Sequence, residues 1–236
     1  MQLFYSEDLV KENQLIILDG QESIHISKVL RKKIGDIIHV TNGKGLLFEA
    51  EILSLNKKGC NLEAKKLLET KEFYSNLTVA IAPTKNLARL EWFIEKSVEI
   101  GIEKICLFIS SNSERREVKA DRLQLKALSA MKQSLKFVLP EVTEAFKFKS
   151  AIDIAAKGNY ETKLIAYCGE NAIKIMPELD FNKKSIIFIG PEGGFSENEI
   201  EYAKQNGFKA VSLGSSRLRT ETAGLFVTSI YNSLNL

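Results

Sequence analysis

Ser185-Ile186-Ile187-Phe188-Ile189 runs straight into Gly190-Pro191-Glu192-Gly193-Gly194-Phe195-Ser196. A short β-rich apolar run that breaks into three glycines and a proline predicts a buried strand meeting a tight turn. No large side chains keep a ligand away from the turn's backbone. Ser196 and Glu199, three apart, predict a capping box that opens the next helix. Some 20 residues on the pattern returns: Ala210-Val211-Ser212-Leu213 predicts a strand, Gly214 ends it, and Leu218-Arg219-Thr220-Glu221-Thr222-Ala223 leads into a helix. Two such exits side by side predict a crevice at the carboxyl edge of a parallel sheet, where α/β folds bind ligands.

Working outward, strands are expected at Leu77–Ala82, Ile105–Ile109, Glu141–Ala145, Lys163–Tyr167 and Lys209–Leu213, alternating with helices. Leu87, Leu90, Ile94, Ser97 and Val98 form the inner face of one helix, closed by Gly101. A charged helix is expected from Asp121 to Phe137, before Pro140. The alternation predicts a mostly parallel sheet. The last helix, from Thr220, carries Ala223, Phe226, Val227, Ile230, Tyr231 and Leu234 at helical spacing. Upstream of the polar link Glu69-Thr70-Lys71-Glu72 the period shortens. Strands Ile37–Thr41, Leu46–Leu53 and Cys60–Leu68 are joined by Asn42-Gly43-Lys44-Gly45 and Asn56-Lys57-Lys58-Gly59, which predicts consecutive hairpins and a small antiparallel barrel. The domains are therefore residues 1–72 and 73–236. A short helix is expected between Gln21 and Arg31. The cations Lys28, Arg31, Lys32 and Lys33 at its end suit either the helix dipole and solvent or a phosphate-contacting patch.

The composition narrows the function classes. With 236 residues, 44% hydrophobic and 27% charged, the chain has enough apolar surface for real cores and is not a disordered polyelectrolyte. A net charge of +3 excludes a uniformly polycationic surface but not a local basic patch. Cys60, Cys106 and Cys168 are too scattered for a disulfide framework or a metal-ligand spacing, which suits a reducing cytosol. The start, Met1 to Asp8, turns acidic at once, and no apolar run approaches membrane-spanning length, so a soluble cytoplasmic protein is expected. Both histidines, His25 and His39, lie in the first 40 residues, far in sequence from the glycine loops, which argues against histidine-centred hydrolysis. The glycine loops are not phosphate sites. The chain lacks G-x-x-x-x-G-K-[ST], and Gly190, Gly193 and Gly194 do not have dinucleotide-binding spacing. One such loop is explained by a structural turn alone; two in neighbouring strands, each with charged residues beside its glycines, are harder to explain that way.

These motifs, read in order, resemble the RsmE family of ribosomal RNA (uracil-N3)-methyltransferases, of the SPOUT class. Further agreement comes from His25 with Val29-Leu30-Arg31, Lys85 with Arg89 and Glu91, Glu99-Ile100-Gly101, Ser113-Glu114-Arg115, and Gln133-Ser134 with Pro140, so the resemblance spans nearly the whole chain. It implies a PUA-like RNA-binding β-barrel followed by an α/β SPOUT domain whose C-terminal end is threaded into a trefoil knot, and a homodimer. It also implies methylation of uridine N3 in 16S ribosomal RNA of the small subunit, with S-adenosylmethionine as cofactor and no metal. The cofactor residues carried over are Tyr167, Cys168, Gly169, Ile189, Gly190, Glu192, Gly193, Gly194, Leu213, Gly214, Leu218, Arg219, Thr222 and Ala223. For catalysis they are Arg219, as electrostatic stabiliser, and Glu221 or Glu192 as proton acceptor, a choice the sequence leaves open. RNA contacts fall to His25, Lys28, Arg31, Lys85, Arg89 and Arg115. Two positions depart from the family: Gln2 replaces a common arginine and loses its charge, and Lys136 stands where arginine often follows the Gln-Ser pair, keeping the charge without the planar fork. A second reading keeps the fold as a non-catalytic, RNA-binding ribosome assembly factor. A third, an oxidoreductase, needs an early phosphate-binding turn that is missing.

Overall fold

A computed structural model describes residues 2–71, 75–169 and 172–234. The chain forms two compact units, Met1–Phe73 with Leu128–Leu139, and Tyr74–Ala127 with Pro140–Leu236.

In the first unit, β1 (Leu3–Tyr5), β2 (Leu15–Asp19), β3 (Ile37–Thr41), β4 (Leu46–Asn56) and β5 (Gly59–Thr70) form one sheet in the order β1-β3-β4-β5-β2. The two predicted hairpins are present, and β2 joins β5 antiparallel. The expectation of a purely antiparallel module needs correction, because β1 lies parallel to β3, with Phe4 opposite Val40. All five strands contribute to one core, from Phe4 through Leu18, Val40 and Phe48 to Leu62, with Ile26 added from the connection after β2. That connection is α1 (Gly20–Ile24), capped by the Asp19 side chain accepting from the Glu22 amide, followed by a π-helical turn over His25–Val29. Glu69 and Thr70, expected as a link, instead extend β5 opposite Leu47 and Leu46; Glu72 lies outside the described residues.

The second unit carries β6 (Leu77–Ile81), α2 (Leu87–Ile100), β7 (Lys104–Ile109), the start of α3 (Ala120–Gln133, of which Leu128 onward groups with the first unit), β8 (Glu141–Val142), β9 (Phe146–Lys147), α4 (Phe148–Lys157), β10 (Thr162–Ala166), β11 (Ile173–Lys174), β12 (Ser185–Ile189), α5 (Glu197–Gln205), β13 (Lys209–Ser212) and α6 (Thr220–Ser233). The order is β11-β13-β10-β12-β6-β7-β8, with β9 on β7, and every pairing among the described residues is parallel. β6 and β12 lie next to each other and are buried at every position, as a sheet covered on both faces requires. α3 stops at Gln133, four residues short of the expectation. Leu135 has a left-handed φ of 56°, which a continuing helix does not accommodate, and residues from Leu128 on group with the first unit. The capping box at Ser196 and Glu199 is present. On α6 the buried face runs through Ala223, Gly224, Val227 and Tyr231, while Phe226 and Leu234 stay 38% and 41% exposed, so the apolar set divides between two faces.

Candidate active site

Parallel register lines up the carboxyl ends of β6, β12 and β10, since Ile81 faces Ile189 and Phe188 faces Ile165. β13 extends the edge through Val211 opposite Ala166. A cavity of about 180 Å³ opens there, lined by the chain after β10 (Ala166, Tyr167, Cys168), after β12 (Ile189 to Glu192, Gly194, Phe195) and after β13 (Leu213, Gly214, Ser216, Leu218), then by Thr220 and Ala223 of α6. Most of the lining residues are apolar or glycine.

The loops are tied to one another by hydrogen bonds. The Thr220 hydroxyl, on the first turn of α6, donates to the Gly190 carbonyl at 2.9 Å, joining the last loop to the middle one. The Tyr167 amide, just past β10, donates to the Val211 carbonyl of β13 at 2.8 Å, joining the first loop to the last strand. The 190–196 loop closes on itself through Gly194, whose φ of 72° suits glycine and whose amide donates to the Pro191 carbonyl at 2.8 Å. A fourth loop, after β7, braces it from outside. Asn112 donates its amide to the carbonyls of Gly193 and Gly194, and the backbone and hydroxyl of Ser111 both donate to the Glu199 carboxylate at 2.9 Å. Glu199 thus serves as capping residue and brace at once. Phe195 is stacked on Phe108 of β7, with centroids 5.9 Å apart, which seats the loop on the core.

The structure brings most of the expected cofactor residues to this cavity: Tyr167, Cys168, Ile189, Gly190, Glu192, Gly194, Leu213, Gly214, Leu218 and Ala223 line it. Gly169, Gly193, Arg219 and Thr222 do not. Gly193 instead packs on Asn112, where an added Cβ would come within 3.0 Å of the asparagine Cβ. Arg219 is the N-cap residue of α6 and is exposed. Thr220, Ala166, Pro191, Phe195 and Ser216 line the cavity without having been singled out. Thr220 reads in sequence as an ordinary first-turn residue, because its partner lies 30 residues away.

Two carboxylates near this edge are incompletely satisfied. One oxygen of Glu192 accepts the Lys85 amide at 3.0 Å, while Oε2 is buried without a hydrogen-bond partner among the described residues. Glu221 is 6% exposed, its Oε1 lies 3.7 Å from Nε of Arg89, and its Oε2 is likewise buried and unpartnered. The apolar walls and a buried acceptor on Glu192 fit a ligand with a largely apolar body and an N–H or O–H donor. Among the described residues no group of three or more His, Cys, Asp or Glu side chains is placed to hold a metal ion.

Two family models match the chain, an RNA methyltransferase PUA domain over residues 18–65 and an RNA methyltransferase domain over residues 71–232. The ribosomal RNA small subunit methyltransferase E of Rickettsia conorii is 31% identical over 228 residues, covering 94% of this chain and 91% of that protein. The chain belongs to the RsmE family of RNA methyltransferases. A probable rRNA-methyltransferase from Porphyromonas gingivalis superimposes with a TM-score of 0.89 at 39% identity, over 99% of this chain and 98% of the other. The family's Neisseria gonorrhoeae member, solved bound to S-adenosyl methionine, gives 0.87 at 30% identity, over 99% of this chain and 98% of that one.

For RsmE-type RNA contacts the six candidates differ in environment. Lys28 and Arg31 are exposed, and Arg31 has a left-handed φ of 56°. His25 is half-buried, edge-on to Phe4 at 6.4 Å and in contact with the Gln2 amide. Gln2 and His25 also border a polar cavity of about 360 Å³ with Glu22, Ser129 and Lys132, and Lys132 pairs with Glu22 at 2.5 Å. Lys85 is exposed and paired with Glu114 at 2.7 Å, a hydrogen bond that pushes its pKa up. Arg115 is spent largely on structure, donating to the carbonyls of Thr84 and Lys85 at 3.1 and 2.8 Å. Lys136 is half-buried, and desolvation, followed by the nearby Lys71, lowers its pKa.

Proposed function

We propose that this chain transfers the methyl group of S-adenosylmethionine to N3 of a uridine in 16S ribosomal RNA. The observation that carries the reading is the cavity where three loops leave the parallel sheet, with apolar walls and the buried Glu192 acceptor. Ile189, Leu213, Leu218 and Ala223 would hold the adenosyl portion, with nearby backbone groups reading its edge. Bound there, S-adenosylmethionine supplies a sulfonium-activated methyl: N3 contributes the electron pair of the new bond, and the pair of the broken carbon–sulfur bond stays on sulfur as a thioether. The chain's own tasks are orientation and charge. The loops must hold N3 in line with the methyl, a carboxylate must accept the N3 proton, and a nearby cation must steady the RNA. Thr220 keeps Gly190 in place for the first of these tasks.

The labour divides between residues 1–72, supplying RNA affinity, and residues 73–236, supplying cofactor binding and transfer. Lys28 and Arg31 are exposed on the former, and the cavity lies wholly within the latter. Phe226, exposed on α6 beside a half-buried Ile230, and Leu234, exposed just after that helix, support a homodimer, which sedimentation giving only monomer at micromolar concentration would exclude. Free thiols at Cys60, Cys106 and Cys168 suit the cytoplasm. The deciding experiment incubates tritiated S-adenosylmethionine with small subunits or 16S RNA from cells lacking the gene, then locates the label by mass spectrometry. Label in N3-methyluridine is the expected result. RNA binding without transfer would favour the assembly-factor reading.

A further inference from the structure

Three charged side chains at one sheet edge assign roles that the sequence leaves open. Glu221 is buried, does not line the cavity, and among the described residues is paired with one cation, the Arg89 guanidinium 3.7 Å away. A proton acceptor must come within hydrogen-bond reach of the proton it takes, and this carboxylate does not border the cavity. An isolated buried carboxylate is costly unless a partner compensates it. Arg89 is that partner. Its side chain remains 40% exposed, in the first turn of α2, immediately after the chain leaves the carboxyl end of β6. Thr220, the neighbour of Glu221, lines the cavity, so the pair borders the site without entering it. Glu192 has the complementary properties. It lines the cavity, the Lys85 amide fixes one oxygen, and the other is buried without a partner.

We infer that Glu221 is a positioning residue that holds Arg89 against the RNA backbone beside the target uridine, and that Glu192 is the carboxylate that takes the N3 proton. This rests on the methyl-transfer reading above. Glu192 releases the proton to water after each turnover, so the charge balance closes without a further reactant.

The test measures kcat and KM for methyl transfer to small subunits lacking the modification, with near-ultraviolet circular dichroism as the control for folding and calorimetry for cofactor affinity. Glu192→Gln should lower kcat by about 100-fold or more while leaving KM for RNA within about threefold. Arg89→Gln should raise KM about tenfold and reduce the slope of log KM against log salt by about 0.7–0.9, the signature of one lost phosphate contact. Arg89→Lys should restore much of that slope. Glu221→Gln should reproduce Arg89→Gln, and the double variant should be no worse than either single one, because both remove the same interaction. A 100-fold loss of kcat in Glu221→Gln with Arg89→Gln near the parent would overturn the assignment, as would multiplicative losses in the double variant. If Glu221→Gln no longer binds cofactor, the Arg89 variants decide alone, and an unchanged salt slope overturns the proposal. A parent protein that binds cofactor and RNA but transfers nothing would instead overturn the methyl-transfer reading.

Discussion

β2 in the first unit alternates exposed and buried residues, with Ile16 and Leu18 inside and Leu15 and Ile17 outside, whereas β6 and β12 in the second are buried throughout. A sheet with one wet face can carry ligand contacts on that face or on the segments beside it. A sheet covered on both faces has only its ends, so the chemistry must sit in the loops at its carboxyl edge. The two units therefore invite opposite kinds of perturbation. In the second, one backbone position should matter greatly; in the first, single side chains should matter little and sets of charges should matter together.

The largest expected effect is at the loop backbone. Gly214 lines the cavity with a φ of 128°, where a β-branched residue is strained. Strain of about 1–3 kcal/mol should move the loop enough to weaken cofactor binding about tenfold or more in Gly214→Val. Gly193→Val should do less at the cavity, because its new side chain meets Asn112 rather than the ligand space. Calorimetry ranking the two the other way would mean that the brace, not the cavity lining, limits cofactor binding.

How much of this was legible differs along the chain. The run from Ser185 to Ser196 announced its strand, its open turn and its capping box, because each is set by residues within a few positions. The crevice at the carboxyl edge followed from the glycine exits, whereas the residues expected to line it came from the family resemblance. What stayed hidden was set at long range: the parallel β1–β3 pair, the Thr220 bond to Gly190, and the second duty of Glu199 as acceptor for Ser111. The left-handed turn at Leu135 was hidden for another reason, since leucine gives no signal for positive φ. Arg115 shows the same limit in a charged residue. Its composition suggests a phosphate contact, and only the folded loop reveals two backbone carbonyls in front of it.

In the first unit the comparison is sharpened by removing charges as a set. Lys28, Arg31 and Lys33 are all exposed. Replacing the three with glutamine should flatten the salt dependence of RNA binding by about two units and leave cofactor affinity unchanged, since each phosphate contact contributes roughly 0.7–0.9. An unchanged slope would make the cluster an ordinary solvated helix end.

The smallest effect separates the units by their thiols. Cys168 is exposed and lines the cofactor cavity, whereas burial pushes Cys60 in the first unit and Cys106 in the second up to about 11. At pH 8 a thiol with that pKa is only about 0.1% thiolate, so iodoacetamide should label Cys168 first. Added S-adenosylmethionine should slow that labelling; equal rates with and without it, at saturating cofactor, would place the ligand elsewhere. The raised values also carry a sign. A thiol that keeps its proton more tightly when folded contributes stability that is fully present below its unfolded value near 9. That contribution is lost as pH rises through about 11. Cys106→Ala should therefore reduce the alkaline loss of stability between those values, by no more than roughly 2–3 kcal/mol at about 1.4 kcal/mol per pH unit, as followed by urea unfolding at pH 8 and pH 10.5. An alkaline loss unchanged in the variant would mean that other buried groups of the second unit, such as the Tyr160 hydroxyl, whose pKa burial also raises, govern the limb instead.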